Sequence, residues 1–439
     1  MSVNVGTAIG YLDLDASKFK TGLKDAQSTL SEFTNQSNNA GTRFEALGSS
    51  LKTVGSTITT AVSLPLLALG AGAIKTASDF EAGMSKVSAL SGATGDDLKM
   101  LEDKAREMGS TTKYSATESA EALSYMALAG WDAEQMAAGL EPALKLAGAA
   151  GMDLALATDI VTDTMSMFGM EASEATKMTD MLAYAQANSN TDVQQLGEAL
   201  KYCGASANAM GYDLADTTAL LGIFADQGLK GSSAGTTLNA MFRDMKAKAE
   251  DGAIAIGKKN VSIVDANGNY RDMTDILADV QKATEGMTQA ERDMALSSIW
   301  GTEALKGVNM AFEAGVPKIR EFEEGIRNSD GAASEMYDTM QNNLQGAIDN
   351  MKSAFEGLLI TIGKRLIPIF QNLVEGITNV FTWFNNLNPA IQNVIIGIGG
   401  FLAVLGPLLL IVGNVIIFIV KLSTSISALV TFFSAGGAG

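Results

Sequence analysis

Residues 115–135 read SATESAEALSYMALAGWDAEQ, and this stretch decides the fold class. Ser115 followed three residues later by Glu118 is a capping box, in which the serine hydroxyl accepts from the third backbone amide while the glutamate reaches back to the first. Ala122, Met126 and Ala129 then keep helical spacing until Gly130, whose freedom at positive φ suits a helix end. Asp132 and Gln135 repeat the opening signal at once. Two start signals so close together predict short helices laid back to back.

The same punctuation extends on both sides, from Ala77 to about Lys248. Leu154, Val161, Met165 and Phe168 mark one helix, and Leu220, Leu221 and Phe224 another that closes at Gly228. Thr191 and Gln194 are read as the opening of a helix whose inner face is Val193, Leu196, Leu200 and Cys203, followed by Gly204. The inner faces are mostly Ala, Leu and Met, a composition that lets helices approach closely around an adaptable core. The expected fold is therefore mainly α, a multi-helix globular body with one small β-hairpin, followed by long amphipathic and C-terminal hydrophobic helices.

Beyond the body, Val261 to Asp272 breaks the helical pattern. VSIV, a turn at Asn267-Gly268 and NYRD predict the hairpin, since Asn-Gly favours positive φ. Thr288 and Glu291 cap a helix running toward Ile299. Ser334 to Phe381 predicts a long amphipathic helix interrupted near Pro368, with Met336, Met340, Leu344, Ile348 and Met351 on one stripe that suits helical partners. At the other end, residues 2–14 alternate weakly as a short strand, and Ala16 to Phe44 reads as a polar helix. Thr53 to Ile74 carries no charge and is rich in small residues, which favours a helix-packing or interfacial segment over a true membrane span. The expected segments are 1–76, 77–250, 251–333, 334–392 and 393–439.

The last segment is set apart by VIIGIGGFLAVLGPLLLIVGNVIIFIV, Val394 to Val420, which lies in a stretch free of charge between Glu375 and Lys421. The residues from Val394 to Gly413 have no polar side chain and would span roughly 30 Å as a helix, about the thickness of a bilayer's hydrocarbon layer. Gly406-Pro407 makes a hairpin of two shorter helices an equal alternative, because proline removes a donor and disfavours helix at its predecessor. A buried core helix of a soluble domain is the remaining reading. The residues expected to enter a membrane are Val394, Ile395, Ile396, Phe401, Leu402, Leu405, Pro407, Leu409, Ile411, Val412, Ile416, Phe418 and Val420.

Charge divides the chain in the same place. The net charge of the 439 residues is −18, but residues 351–439 hold four cations against two carboxylates, so residues 1–350 carry −20. An acidic body repels phosphate backbones, which argues against sequence-specific nucleic-acid binding. One cysteine excludes an internal disulfide framework. The start, MSVNVGTAIGYLDLD, has neither a basic nor an apolar leader region, so synthesis in the cytoplasm is expected.

Several of these residues carry a family resemblance. Phe80-Glu81 with Met84, Tyr114-Ser115-Ala116, Glu121-Ala122, Leu128-Ala129-Gly130, Asp180 with Ala183, and Gly228 with Gly231-Ser-Ser-Ala-Gly235-Thr236 resemble the shared core of phage tail tape measure proteins. Asp265 to Arg271 with Gly268, Ile299-Trp300-Gly301, Ser353-Ala354, Leu366-Ile367-Pro368, Trp383-Phe384, Leu387-Asn388-Pro389 and Leu405-Gly406-Pro407-Leu408 follow in the order expected of the TP901-like branch of that family. The resemblance covers nearly the whole chain, and it is the ordered set that is specific. It implies a tail-lumen component made in the host cytoplasm that helps set tail length and inserts into the host inner membrane on ejection. It also implies other copies of the chain, tail tube protein, tail assembly chaperones and distal tail or baseplate proteins as partners. Family members usually continue with long helices after the apolar region, whereas this sequence stops at Gly439, which suggests a truncated frame or a short tail.

Catalytic chemistry is poorly served. There is no histidine, which removes Ser-His-Asp and Cys-His nucleophile systems and the usual zinc-hydrolase ligand sets. Gly231-Ser-Ser233-Ala-Gly235 matches a hydrolase elbow but lacks an imidazole base, so a tight loop starting a helix through Met245 is expected. Asp265-Ala-Asn267-Gly268 has its glycine too early for a calcium loop and reads as a turn. Gly257-Lys258 is followed by Lys259, which breaks a phosphate-loop pattern. Cys203 reads as a core residue and Glu323-Glu324 as a solvated face. No catalytic, cofactor-binding or metal-binding residue is expected. The alternatives to a tape measure are a free pore-forming toxin of the colicin type and, more remotely, a glycan-degrading enzyme using carboxylates alone.

Overall fold

The computed structural model describes residues 64–389 together with 391 and 392. The expected strand in residues 2–14, the helix Ala16 to Phe44, the start of the uncharged Thr53 segment and the apolar run Val394 to Val420 lie outside them. The helices are α1 (Leu64–Ser91), α2 (Gly95–Thr111), α3 (Ala116–Leu128), α4 (Ala133–Ala150), α5 (Leu154–Phe168), α6 (Ala175–Asn188), α7 (Val193–Ala209), α8 (Leu214–Asp226) and α9 (Gly231–Lys248). After a hairpin of β1 (Ala253–Ile256) and β2 (Lys259–Ser262) come α10 (Met273–Ala283), α11 (Gln289–Ser297), α12 (Thr302–Ala314), α13 (Val316–Arg327), α14 (Ala332–Gln341) and α15 (Leu344–Asn385). Mainly α with one small antiparallel pair is the architecture expected.

The starts follow the cap chemistry. The Ser115 hydroxyl accepts from Glu118 N and the Glu118 carboxylate accepts from Ser115 N, while Asp132 with Gln135 and Thr288 with Glu291 make the same reciprocal pairs. Gly130, Gly151, Gly169 and Gly228 follow helix ends at positive φ. Two expectations shift. The cap of α7 is Asp192, whose carboxylate accepts from Gln195 N, one residue after the expected Thr191. That helix runs on past Gly204 to Ala209, because Gly204 serves as a contact point against Met167 and Phe168.

The chain divides into two compact units, residues 79–358 and a second formed by residues 1–78 with 359–439. In the larger unit α7 packs on α9, α9 on α12, α5 on α7, and α14 on α4 and α6. Its core is Ala, Leu and Met around fully buried Phe80, Phe224, Phe242 and Trp300, with Trp300 Nε1 donating to Met241 O at 3.2 Å. The close crossing of α7 and α9 depends on Gly235, where a Cβ would collide with the Ala199 carbonyl. In the smaller unit Gly363 allows α15 to meet Ala73 and Ala77 of α1.

The hairpin forms one turn earlier than expected. Ala253, Ile254, Ala255 and Ile256 pair with Ser262, Val261, Asn260 and Lys259, joined by Gly257-Lys258, with Gly257 at φ +63°. A two-residue hairpin loop needs such a positive φ. Ile254, Ile256 and Val261 point into the core. The Asn267-Gly268 turn exists but is an Asx loop, because Asp265 Oδ1 accepts from both Asn267 N (2.8 Å) and Asn269 N (2.9 Å). Only the bridge Val264 with Tyr270 flanks it.

The long amphipathic helix is two helices, broken at Asn342-Asn343, where Asn343 Oδ1 accepts from Gly346 N at 3.0 Å and caps α15. Pro368 lies inside α15 without ending it. The expected apolar stripe, read as a face for helical partners, has no fully buried position and is exposed at three of its five residues. Met340, Leu344 and Met351 are exposed, and the faces turned inward are Ala333 and Tyr337 of α14 and Gly346 and Ser353 of α15.

Candidate functional site

α14 and the first part of α15 are fixed to the body by polar groups distant in sequence. Asp180 on α6 is almost fully buried, and its carboxylate accepts from Gly331 N (2.8 Å) and Ala333 N (2.9 Å), capping the start of α14 from across the core. The Tyr337 hydroxyl accepts from Lys113 N at 2.8 Å, and its ring lies where a side chain at position 148 would otherwise stand. Ser353 Oγ donates to Lys113 O at 2.7 Å, and Glu356 Oε1 accepts from Thr117 N at 3.1 Å. One face of α15 is thereby held on the body. The opposite face, Leu344, Met351, Phe355 and Leu358, repeats at intervals of seven, four and three residues and is exposed by 50% or more at every position. Within the smaller unit Phe370, Val374 and Phe381 are likewise exposed. Among the described residues α15 is the one helix long and apolar enough to cross a membrane.

A second polar feature gathers α8, α10 and α13. Arg327 bonds both carboxylate oxygens of Asp213, one oxygen of Asp216, and Glu323 at 3.2 Å. Asp213 and Asp216 form the capping box of α8, and Asp272 caps α10 by accepting from Asp275 N at 2.9 Å. Burial, the Glu323 hydrogen bond and the Asp213 charge push the Asp216 carboxyl up to about 8. Burial also raises Asp213, but the Arg327 hydrogen bond and charge outweigh it and hold that carboxyl below its usual range. Oxygens of Asp216, Asp272 and Glu323 lie within 4.8 Å of one another, so hard-cation chemistry is open to them. The expectation that Glu323-Glu324 is a solvated face holds for Glu324 alone. Glu323 turns inward, pairing with Arg327 four residues on and with Asp216, about a hundred residues away, and the second partner is one that no local pattern announces.

The other sequence motifs sit in structural roles. Phe80 is fully buried and Glu81 exposed; Ala116 opens α3 in the core. Gly231 and Gly235 lie in the first turns of α9 and not in a loop, and Ser233 between them is exposed. Gly301 N donates to Asp244 Oδ2 at 2.9 Å, adjoining buried Trp300. Pro389 is exposed in the first turn of a further helical segment, where the Asn388 carbonyl accepts from Ile391 N and Gln392 N. Burial pushes the Cys203 thiol up to about 12 and its Sγ donates to Ala199 O, so it is an inert core group. The sequence residues expected to enter a membrane lie outside the described structure.

Residues 102–301 match the family model described as phage-related minor tail protein. The chain is 36% identical over 382 residues to a tape measure protein of Pneumococcus phage Dp-1, covering 87% of this chain and 33% of that protein. It is 26% identical over 279 residues to a probable tape measure protein of Escherichia phage P2, covering 62% and 34%. It is 22% identical over 388 residues to a probable tape measure protein of Clostridium phage phiCD119, covering 82% and 39%. The chain thus spans between a third and two fifths of the length of these relatives. No solved structure matches it.

Proposed function

Because this chain belongs with the phage tail tape measure proteins, we infer that it is a structural tail component that helps set tail length, occupies the tail tube lumen and enters the host membrane during genome ejection. The observation that carries the tail role is the alignment to the Dp-1 tape measure protein across 87% of the chain. That likeness favours a virion part over a free toxin or an enzyme. A length-setting role draws on helix geometry, since each helical residue adds a fixed rise of about 1.5 Å. The 42 residues of α15 reach about 63 Å on that rise. Its exposed apolar face suits other copies of the chain, and tail tube protein, chaperones and distal tail proteins complete the partners.

The membrane step rests on the uncharged run Val394 to Val420. Transferring a large apolar side chain out of water contributes about 1.5–3 kcal/mol, so some twenty of them outweigh Asn414 several-fold. Storage among neighbouring chains inside the tube keeps the run from water until ejection releases it. The test replaces Leu402→Asp together with Leu409→Asp. Liposome permeabilisation by the purified chain is expected to vanish while tails of normal length still assemble in phage carrying the variant. Leakage equal to that of the parent chain would exclude the run as the inserting element, and particles lacking the chain by mass spectrometry would exclude the tail role.

A further inference from the structure

We propose that the uncharged segment 53–63, which precedes α1, docks within the smaller unit on the apolar face of α15 formed by Phe370, Val374 and Phe381. α1 already covers the start of that face. The two helices meet so closely at Gly363 that a Cβ there would collide with the Ala73 carbonyl and the Ala77 side chain. Each residue turns a helix by about 100°, so Phe370, Val374 and Phe381, which stand seven, eleven and eighteen residues beyond Gly363, all point within roughly 20° of it. Gly363 is buried, yet these three side chains are exposed, with Ile377 partly so among them. One stripe is thus covered where it begins and bare further on.

Helix direction says what arrives at the bare part. In the larger unit Gly83 of α1 faces Ala120 of α3, and Glu356 of α15 accepts from Thr117 N of the same helix. The meeting point moves forward along α1 as it moves back along α15, so the two helices are antiparallel. Eleven residues back from the middle of Ala73–Ala77 is Leu64, where α1 begins, and eleven on from Gly363 is Val374. The chain before α1 therefore arrives where the covering stops. Pro65 suits the first turn of a helix, since its missing amide is unpaired there in any case, so the preceding segment meets the face as a stretch of its own. The stripe from Val374 to Phe381 runs about 10 Å, and eleven residues span that length whether helical or extended. Composition selects the same occupant. Segment 53–63 carries no charge, and Ile58 and Val62 stand about one helical turn apart, so it covers an apolar face without burying a charge. A second copy has to overcome the repulsion of two acidic bodies, whereas a segment joined directly to α1 competes at high effective concentration. α15 is long and apolar enough to cross a membrane, but this stripe then belongs to its own chain and not to lipid.

The full chain in a non-ionic detergent carries Phe381→Cys or Trp383→Cys, with Cys203 left in place because it is buried and inert. The two positions are exposed by 61% and 51%, so folding should tolerate both changes, and they face opposite ways on α15. A bulky water-soluble maleimide is expected to label Phe381→Cys more slowly by about tenfold or more, a protection that burying Ile58 and Val62 can support. Ile58→Asp with Val62→Asp should remove the difference. Copper-phenanthroline oxidation of Ile58→Cys with Phe381→Cys should join the two within one chain, as read by peptide mass mapping, whereas Ile58→Cys with Trp383→Cys should not be joined. Equal labelling at the two positions refutes the docking, because the stripe is then bare. Slow labelling that persists in the aspartate pair refutes it too, and disulfides between chains would then assign the stripe to a second copy. Protection that appears only when vesicles of phosphatidylglycerol and phosphatidylethanolamine replace the detergent would overturn it in favour of lipid.

Discussion

At the scale of single residues, the chain spends its glycines on contact as well as on turns. Gly235 sits in a hydrolase-like pattern, but its place in the structure is a helix crossing at which a Cβ would overlap the Ala199 backbone. Backbone cannot yield as a flexible side chain does. Gly235→Ala is therefore expected to destabilise the larger unit by on the order of 1–3 kcal/mol, the usual range for overpacking. At roughly 2–4 °C per kcal/mol, calorimetry should record a lower melting temperature by several degrees. Ser233→Ala is the control, because that side chain is exposed and should stay within about 0.5 kcal/mol of the parent. The opposite order of effects would mean that the serine matters and the crossing does not. The absence of histidine was legible at once, but the crossing was not: a G-x-S-x-G spacing says where glycines stand and not what lies against them.

Elements show the same division between local and distant causes. Caps were legible because donor and acceptor are three residues apart, so Ser115, Asp132 and Thr288 could be read directly. α7 opens one residue later than the sequence suggests, because Thr191 and Gln194 imitate the signal that Asp192 and Gln195 make. Asp192→Ala is expected to cost about 1 kcal/mol and to speed amide exchange in the first turn of α7, whereas Thr191→Ala should do neither. Equal protection in both variants would remove Asp192 as the cap. Asn343 as a cap and Asp265 as an Asx residue were legible in principle, since each bonds amides two to four residues on. The buried face of α14 was not, because Asp180, about 150 residues away, decides which side turns inward.

At the scale of the whole molecule, the sequence opposes two tendencies. Residues 1–350 carry −20 and repel one another between copies, while residues 351–439 carry +2 and supply long apolar runs. Association between copies is therefore expected to run through apolar helix faces and to be strengthened by salt, which screens the acidic bodies. Met351, Phe355 and Leu358 are placed for it, because Ser353 and Glu356 hold the other side of α15 on the body and leave these three in solvent. Met351→Glu with Phe355→Glu removes two apolar side chains worth about 1.5–3 kcal/mol each when buried, enough to weaken association about a hundredfold or more. Exposure in the single chain means that folding should tolerate both changes, so circular dichroism should match the parent. Sedimentation in non-ionic detergent should then shift toward the monomer, and added salt should no longer restore the larger species. If the variant sediments as the parent does at every salt concentration, copies meet elsewhere, and the face of α15 is free for a different tail protein or for lipid.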